Sequence, residues 1–389
     1  MKQSLIEALR SEPVGTEIDR LVSGGLTDRD LLSVITDLRS RHDPDVASAI
    51  ADTALLRTRA RAKFPDSDRM LFDRPGLEQA TPYPIALHRV ARLPDGEPDR
   101  IVDLGCGVGG DALAFTRVAP TVGIDTDPNR LRLAVHNCQE AGGPYPFDPV
   151  LGDVMTVAPL QAQVVFADPA RRSGPRRLRG LGSYLPPVGA LIDRWRPHAQ
   201  LMAIKVAPGI EDDEISQGAS VEWVSLDGQL REAVIWLGGR DDPGVRRATV
   251  LPSGATVTGP EPNDIPINAI GRYLHEPDDA VVRARLVRCV AEEIGATMID
   301  ADIAYLTSDA PADSPMVTSF RIDEVMPFNL KRLRSRLTDL DVGVVTIKKR
   351  GSPITPEELR PRLRLRGSRS ATLILTRTHD GPLVAIGLD

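Results

Sequence analysis

Cysteine is scarce in this sequence, and its placement excludes the two commonest structural uses of the residue. The chain holds three cysteines, Cys106, Cys138 and Cys289, which lie far apart and show no metal-ligand spacing. A disulfide framework needs several cysteines in an oxidising compartment, and a zinc site needs them in close pairs. We therefore expect reduced thiols in a cytoplasmic protein, with no bound metal and no covalent catalysis through cysteine.

Long apolar runs and aromatic residues are also scarce. The 389-residue sequence has no stretch of 18 apolar residues, and its N-terminus lacks the apolar core and cleavage site of a signal peptide. We therefore expect no membrane partner. Aromatic residues make up 4% of the chain, so nothing in the sequence indicates an aromatic-rich lid over a small-molecule site.

The charge is distributed unevenly along the chain. The net charge is −6, which argues against a nucleic-acid binder held by its overall field. Between Lys331 and Arg377, however, thirteen basic and four acidic residues give a local net charge of +9. A basic end on an acidic body indicates a polyanionic partner, whereas 42 arginines among 48 basic residues also fit an ordinary solvated surface. The candidates for phosphate contact in the segment "IKKRG" are Lys348, Lys349 and Arg350.

The order of predicted elements divides the chain into three parts. Residues 1 to about 85 show helical periodicity, and strands alternate with helices from residue 100 to 209, which predicts a doubly wound parallel sheet. Two strands around Asp227-Gly228 predict a hairpin. The remainder has α+β character, in which "MVTSFRIDEV" (316–325) is read as strand.

A glycine-rich turn follows the first strand of the alternating part. The segment "VDLGCGVGGD" places Gly105, Gly107 and Gly109 between a strand and a helix, where the backbone can approach a ligand closely. Gly105, Gly107 and Gly110 also fit the dinucleotide pattern G-x-G-x-x-G. Asp125, at the end of the second strand, can accept hydrogen bonds from a ribose, which a dinucleotide and S-adenosylmethionine both contain.

Three carboxylates favour S-adenosylmethionine over a dinucleotide. Asp103 precedes the first glycine, where it can meet a cationic amino-acid group but would repel a pyrophosphate. Asp153 follows the third strand, placed to accept from an adenine amino group, and the fourth strand ends in Asp168-Pro169. The plainer interpretations are a capping role in the turn for Asp103 and, for Asp111, either a favourable charge in the first helical turn or a direct role.

These residues carry a family resemblance. Residues 100–206 resemble a class I S-adenosylmethionine-dependent methyltransferase, and "CGVGGD" with the fourth-strand Asp-Pro is similar to the trimethylguanosine-synthase-like group. "LEQAT", "DPARR" and the C-terminal segments resemble bacterial methyltransferases with a THUMP-like C-terminal domain preceded by a ferredoxin-like segment. The resemblance implies a Rossmann-like α/β sheet with an N-terminal helical region and a C-terminal α+β region. The expected domains are an N-terminal helical region (1–85), the methyltransferase domain (86–240), a linker with the ferredoxin-like segment (241–326) and a THUMP-like basic domain (327–389).

The resemblance also implies the reaction, methylation of a base in ribosomal or transfer RNA. The residues expected to bind S-adenosylmethionine are Asp103, Gly105, Gly107, Gly109, Asp125 and Asp153. The acceptor is expected at a catalytic loop of Asp168, Pro169 and Arg171, with Arg172 as a substrate contact.

The acceptor loop departs from the usual family pattern of Asp/Asn-Pro-Pro followed by an aromatic residue. Ala170 and Arg171 occupy the last two places. Arg171 can stack on a base, or Arg171 and Arg172 can clamp a phosphate. The plainer interpretation of Asp168 is a helix cap or an ion pair with Arg171, and Lys205 is interpreted as structural.

Two other functions stay open at this point. One is a non-catalytic RNA-binding protein that retains the methyltransferase fold, which the four carboxylates argue against. The other is a small-molecule methyltransferase whose tail serves dimerisation, which the shortage of aromatic residues argues against.

Overall fold

The chain forms two compact units, Met1–Ser220 with Ala233–Gly244, and Val221–Glu232 with Val245–Asp389. The computed structural model describes residues 3–94, 96, 98–171, 180–215, 218–239, 242–262 and 264–388. No helix in these ranges is long and apolar enough to cross a membrane.

Amphipathic helices form the first part of the first unit. Val14, Ile18 and Val22 recur every fourth residue on one helix and are buried. Asp43 caps another helix by accepting from the Asp45 amide at 2.9 Å. The helices ahead of the first strand are α1 (Gln3–Leu9), α2 (Glu12–Ser23), α3 (Leu31–Leu38), α4 (Pro44–Ala60), α5 (Arg74–Gln79) and α6 (Tyr83–Ala91).

A parallel sheet with helices between its strands forms the rest of the first unit. Its elements, in chain order, are β1 (Ile101–Leu104), α7 (Ala112–Phe115), β2 (Thr121–Asp125), α8 (Pro128–Ala141), β3 (Phe147–Leu151), β4 (Ala162–Ala167), β5 (Ala170–Arg171), β6 (Tyr184–Leu185), α9 (Val188–Trp195) and β7 (Ala199–Val206). The next two strands are β8 (Ala219–Leu226) and β9 (Gln229–Leu237), of which Val221–Glu232 belongs to the second unit and Ala233–Leu237 to the first. The strands lie in the order β9-β7-β4-β1-β2-β3, with β9 antiparallel to β7 and the others parallel. The carboxyl ends of β1, β2 and β4 therefore meet at one edge, as the predicted Rossmann-like sheet requires. β8 and β9 are adjacent strands joined by Asp227 and Gly228, both with positive φ, so the predicted hairpin is confirmed.

The second unit contains two four-stranded sheets, in the orders β13-β14-β12-β15 and β16-β19-β18-β17. The remaining elements are β10 (Arg246–Leu251), β11 (Ala255–Thr258), β12 (Tyr273–Pro277), α10 (Asp279–Arg283), α11 (Val287–Glu293), β13 (Thr297–Asp300), β14 (Ile303–Ser308), β15 (Val317–Arg321), β16 (Glu324–Pro327), α12 (Leu330–Asp339), β17 (Val342–Lys349), α13 (Pro356–Leu363), β18 (Arg369–Thr378) and β19 (Gly381–Leu388). The predicted α+β character of the C-terminal region is confirmed.

One predicted strand is divided between the two sheets of this unit. The segment 316–325 contributes β15 to one sheet and β16 to the other, with the break at Ile322 and Asp323. The Ile322 amide donates to the Arg272 carbonyl, whereas the Asp323 amide donates to the Ile386 carbonyl, both at 2.9 Å. The chain changes partner strand between these two residues, which the local sequence pattern does not reveal.

Candidate active site

The glycine turn joins β1 to α7 and requires glycine at the predicted positions. Gly105, Gly107 and Gly109 have φ of 83°, 55° and 87°, a region that residues with a Cβ rarely adopt. A Cβ on Gly105 would also lie 3.3 Å from the carbonyl oxygen of Asp168. The glycine turn and the loop after β4 are therefore in contact at the carboxyl edge of the sheet.

Asp103 is a buried carboxyl group without a hydrogen-bond partner among the described residues. Its side chain is 1% exposed, and neither oxygen accepts a hydrogen bond. Burial, and secondly the Asp168 carboxylate, raise the pKa of Asp103 to about 8. Such a group stabilises the fold poorly but is suited to a cationic ligand, because a positive charge would supply the missing partner. A capping role in the turn, the plainer interpretation, finds no hydrogen bond to support it in this part of the structure.

Asp125 and Asp153 come from neighbouring strand ends. Asp125 accepts from the Gly107 amide at 2.9 Å through Oδ2 and from the Asp127 amide at 2.8 Å through Oδ1. The Gly152 amide donates to the Asp125 carbonyl at 3.0 Å. This hydrogen bond holds the residue before Asp153 against the end of β2. Asp153 is exposed and accepts from the Met155 amide at 2.8 Å. Both carboxylates shape local turns and keep lone pairs for a ligand.

Asp168 pairs with a lysine that sequence reasoning had treated as structural. Lys205, at the end of β7, donates to Asp168 Oδ2 at 2.6 Å and to Thr81 Oγ1 at 3.1 Å. Asp168 is half-buried, and Pro169 behind it is buried. The plainer interpretation of Asp168 was a helix cap or an ion pair with Arg171, and among the described residues its ion-pair partner is Lys205 instead.

Arg171 lies on a short β-ribbon beside the acceptor loop. β5 pairs with β6, and the Arg171 guanidinium lies 5.6 Å from the centre of the Tyr184 ring. Arg171 is exposed, and the Tyr184 hydroxyl accepts from the Ala207 amide at 2.6 Å. The local pattern contains no aromatic residue directly after Asp168-Pro169, and the fold brings the buried Tyr184 ring beside Arg171. Arg172 falls outside the described residues.

Comparison with known proteins identifies the family. The chain is 38% identical over 351 residues to an uncharacterized S-adenosylmethionine-dependent methyltransferase of Mycobacterium tuberculosis H37Rv, covering 87% of this chain and 95% of the relative. A protein of the same description from strain CDC 1551 matches equally well. The chain belongs to the S-adenosylmethionine-dependent methyltransferases.

Two domain families and one solved structure agree with this assignment. Residues 98–175 of the methyltransferase match the family described as RNA cap guanine-N2 methyltransferase, and residues 317–387 match the THUMP domain-like family. A crystal structure of a candidate methyltransferase from Porphyromonas gingivalis W83 has a TM-score of 0.76 at 20% identity, over 93% of this chain and 98% of that one. The enzyme is therefore a class I methyltransferase with S-adenosylmethionine as its methyl donor, as predicted.

The residues at the carboxyl edge of the sheet fit this donor. Asp103 offers a cationic amino group a buried carboxyl group that has no hydrogen-bond partner among the described residues, and the glycine turn leaves room for close approach. The described residues contain no group of three or more His, Cys, Asp or Glu side chains that would hold a metal ion.

Asp111 has a structural role in the methyltransferase. Its carboxylate pairs with the Arg89 guanidinium, and their side chains are 7% and 2% exposed. Arg89 in turn lies 4.4 Å from the centre of the Phe166 ring. The sequence left two interpretations of Asp111, a charge acting on the helix end and a direct contact with a ligand. The structure shows a third role, a buried ion pair that anchors α6 on the sheet.

The N-terminal helices complete the site through contacts that the sequence did not reveal. Lys63 Nζ donates to the carbonyls of Leu77, Glu78 and Ala80 at 2.7 to 2.9 Å, which holds the end of α5. Asn137 of α8 donates to the Val108 carbonyl of the glycine turn at 2.9 Å and exchanges two hydrogen bonds with the Leu71 backbone. Asn137 thus links the backbone of the turn to Leu71, which precedes α5.

The "IKKRG" residues lie at the end of β17 in the second unit, and two of them are already paired. Lys348 donates to Glu276 at 2.8 Å, and Arg350 to Asp279 at 3.5 Å. Lys349 is exposed. The three predicted substrate contacts therefore do not form one free basic group.

We expect Asp125→Ala to weaken S-adenosylmethionine binding by about 1–3 kcal/mol, because it removes a ligand acceptor and releases the Gly107 amide. Isothermal titration calorimetry measures this loss. Asp127→Ala is the control, since Asp127 caps α8 through the Asn129 amide and should change stability more than donor affinity. Tight NAD binding with no binding of the methyl donor would contradict the assignment of the turn.

Proposed function

We propose that the enzyme methylates a base of RNA, with the donor at the turn 103–110 and the acceptor at the Asp168-Pro169 loop. The observation that carries the proposal is the close approach of these two segments, since a Cβ on Gly105 would lie 3.3 Å from the Asp168 carbonyl oxygen. The two domain-family matches, one to an RNA cap methyltransferase family and one to a THUMP domain-like family, support RNA as the substrate class.

The donor residues are assigned by their chemistry. Asp103 binds the cationic amino group, Asp125 accepts from ribose hydroxyls, and Asp153 accepts from the adenine amino group. Gly105, Gly107 and Gly109 allow close approach of the backbone. S-adenosylmethionine, when bound, supplies a methyl group already activated by its sulfonium.

The acceptor residues position the base and take up its proton. An exocyclic amine donates a hydrogen bond to the Asp168 carboxylate, which turns the nitrogen lone pair toward the donor. Lys205 fixes the orientation of that carboxylate through the 2.6 Å contact. As the new N–C bond forms and the bond between the methyl group and sulfur breaks, the nitrogen gives up its proton to Asp168 Oδ1 or to water. The Arg171 guanidinium lies over the Tyr184 ring and contacts the base or a phosphate.

The test is transfer of labelled methyl groups to RNA from cells in which the gene is deleted. We expect wild-type enzyme to label this RNA, and ribonuclease to remove the label, because the target sites are unmethylated. RNA from cells that keep the gene is the matched control and should accept little label. Label found only in small molecules or protein would contradict the proposal.

A further inference from the structure

The second unit carries a group of arginines without acidic partners. The segment 364–369, from the residue after α13 to the first residue of β18, is called here the arginine loop, and its Arg364, Arg366 and Arg369 side chains are exposed. Within the part of the chain that the structure describes, none of the three forms an ion pair. This contrasts with Lys348 and Arg350, whose charges are balanced by Glu276 and Asp279.

Burial alternates through the arginine loop. Leu363 is buried, and Leu365 packs against the same apolar core of β17, β18 and β19. The residues between and beside them, Arg362, Arg364 and Arg366, are exposed. The leucines therefore fix one side of the segment and leave three guanidinium groups on the other.

The backbone of the arginine loop is held against the start of β17. The Gly367 amide donates to the Val342 carbonyl at 3.2 Å, and the Arg369 amide to the Asp341 carbonyl at 2.9 Å. A Cβ on Gly343 would lie 1.7 Å from the Gly367 carbonyl oxygen, so the two backbones cross without room for a side chain. A segment fixed in this way loses little conformational entropy when it binds.

Arg364 occupies a backbone position that favours glycine. It is the C-cap of α13 and has left-handed dihedral angles, φ 55° and ψ 45°. Glycine and asparagine are preferred at such positions because a Cβ is strained there. An arginine that is exposed, strained and unpaired does not stabilise the fold, which points to binding as the use of its charge.

Helix α12 adds further cations beside the arginine loop. The Arg334 guanidinium donates to the Arg362 carbonyl, which joins α12 to the end of α13. Lys331 is exposed, forms no ion pair among the described residues, and lies three residues before Arg334, so it shares the same helix face. Asp341 also contacts the loop, where it accepts from the Ser368 hydroxyl at 2.5 Å.

We propose that the arginine loop, with Arg362 and Lys331, binds the phosphate backbone of the RNA substrate, in place of the predicted "IKKRG" contacts. The inference rests on the proposed function, since it assigns the surface that binds the backbone of the same RNA. Guanidinium groups bind phosphate oxygens bidentately, and such contacts give affinity and register without reading the base sequence.

The experiment measures full-length protein binding to a labelled 20-nucleotide single-stranded RNA of mixed sequence as a function of salt. The test variant combines Arg362→Ala, Arg364→Gly and Arg366→Ala. Three lost phosphate contacts should lower the salt slope by about two and the affinity at 0.1 M salt about a hundredfold. Arg364→Gly alone should lower the slope by about 0.7 while leaving the thermal midpoint unchanged or higher, because glycine relieves the strained backbone.

The matched control combines Arg231→Ala, Arg272→Ala and Arg283→Ala, three exposed cations of the same unit outside the arginine loop. It changes the net charge equally, so it should alter RNA affinity no more than about threefold if location matters. A control that lowers the slope as much as the test variant, or a test variant with wild-type slope, overturns the inference but not the proposed function. Wild-type protein that does not bind the RNA, or that prefers phosphatidylserine vesicles, contradicts the RNA assignment as well.

Discussion

Replacing Asp103 with Asn should abolish detectable binding of S-adenosylmethionine and, at the same time, stabilise the unliganded protein. Binding is lost because the amide has no charge for the donor's amino group, and we expect the affinity to fall at least a hundredfold. Stability rises because Asp103 is buried without a hydrogen-bond partner among the described residues. Calorimetric titration and thermal unfolding between pH 5 and 9 measure the two effects.

The difference in the free energy of unfolding between Asp103→Asn and the wild type is expected to depend on pH. The pKa of Asp103 is about 8 in the folded protein and 3.8 in its ordinary state. Between these values the unfolded chain is ionised and the folded group is protonated, so wild-type stability falls as the pH rises, by about 1.4 kcal/mol per pH unit from this group. Asn does not titrate. The advantage of Asp103→Asn should therefore grow from pH 4 to pH 8 and then stay constant.

Asp111→Asn is the matched control for a buried carboxylate that has a partner. It removes the charge of Asp111 from the buried ion pair with Arg89 and should destabilise the protein by about 3–5 kcal/mol. Wild-type donor affinity should itself rise with pH toward 8, because binding a cation requires Asp103 to lose its proton. An Asp103→Asn variant that binds the donor normally, or is less stable than wild type at pH 8, would refute the assigned role.

Asp168→Ala should lower the methyl-transfer rate by about 10²–10³-fold while donor affinity stays within about threefold of wild type. The carboxylate is assigned to the acceptor, so its loss removes positioning of the reacting nitrogen and leaves the donor contacts in place. Single-turnover kinetics with saturating RNA measures the rate, and calorimetry measures the donor affinity.

Asp168→Asn and Lys205→Met separate positioning from folding. Asn keeps an oxygen that accepts from an amine, so it should retain more activity than Ala. Lys205→Met removes the 2.6 Å contact and should lower kcat through misorientation of Asp168, with a smaller effect than Asp168→Ala. Loss of donor binding or unfolding in Asp168→Ala would show that the ion pair with Lys205 is its main role.

The sequence predicted the elements of the site that local spacing encodes. The glycine turn, the strand-end carboxylates and the alternating sheet each occupy a few consecutive residues, and parallel strands bring their carboxyl ends together. Lys205 and Asp168 lie 37 residues apart, and Lys348 and Glu276 lie 72 apart. No spacing rule connects such pairs, so sequence reasoning interpreted Lys205 as structural and Lys348 as free.

The division of segment 316–325 shows the same limit in secondary structure. Its alternating pattern predicts strand correctly along most of its length. The change of partner at Ile322 and Asp323 depends on Arg272 and Ile386, which are distant in sequence. The alternating pattern of a strand shows which of its residues face a core, but it does not show which sheet the strand joins.

The hold of the N-terminal helices on the glycine turn constrains how this enzyme can evolve. Asn137 donates to the Val108 carbonyl of the turn, and a Cβ on Gly76 would lie 2.5 Å from a methyl carbon of Val108. Lys63 holds the end of α5, the helix that contains Gly76, through the Leu77 carbonyl. An N-terminal helical region from a different lineage, fused to this sheet, would lack the residues that match Val108 and Asn137 and would displace the turn. Inheritance should therefore transmit the helices and the sheet together, and substitutions at these positions should appear in lineages as compensating sets rather than singly.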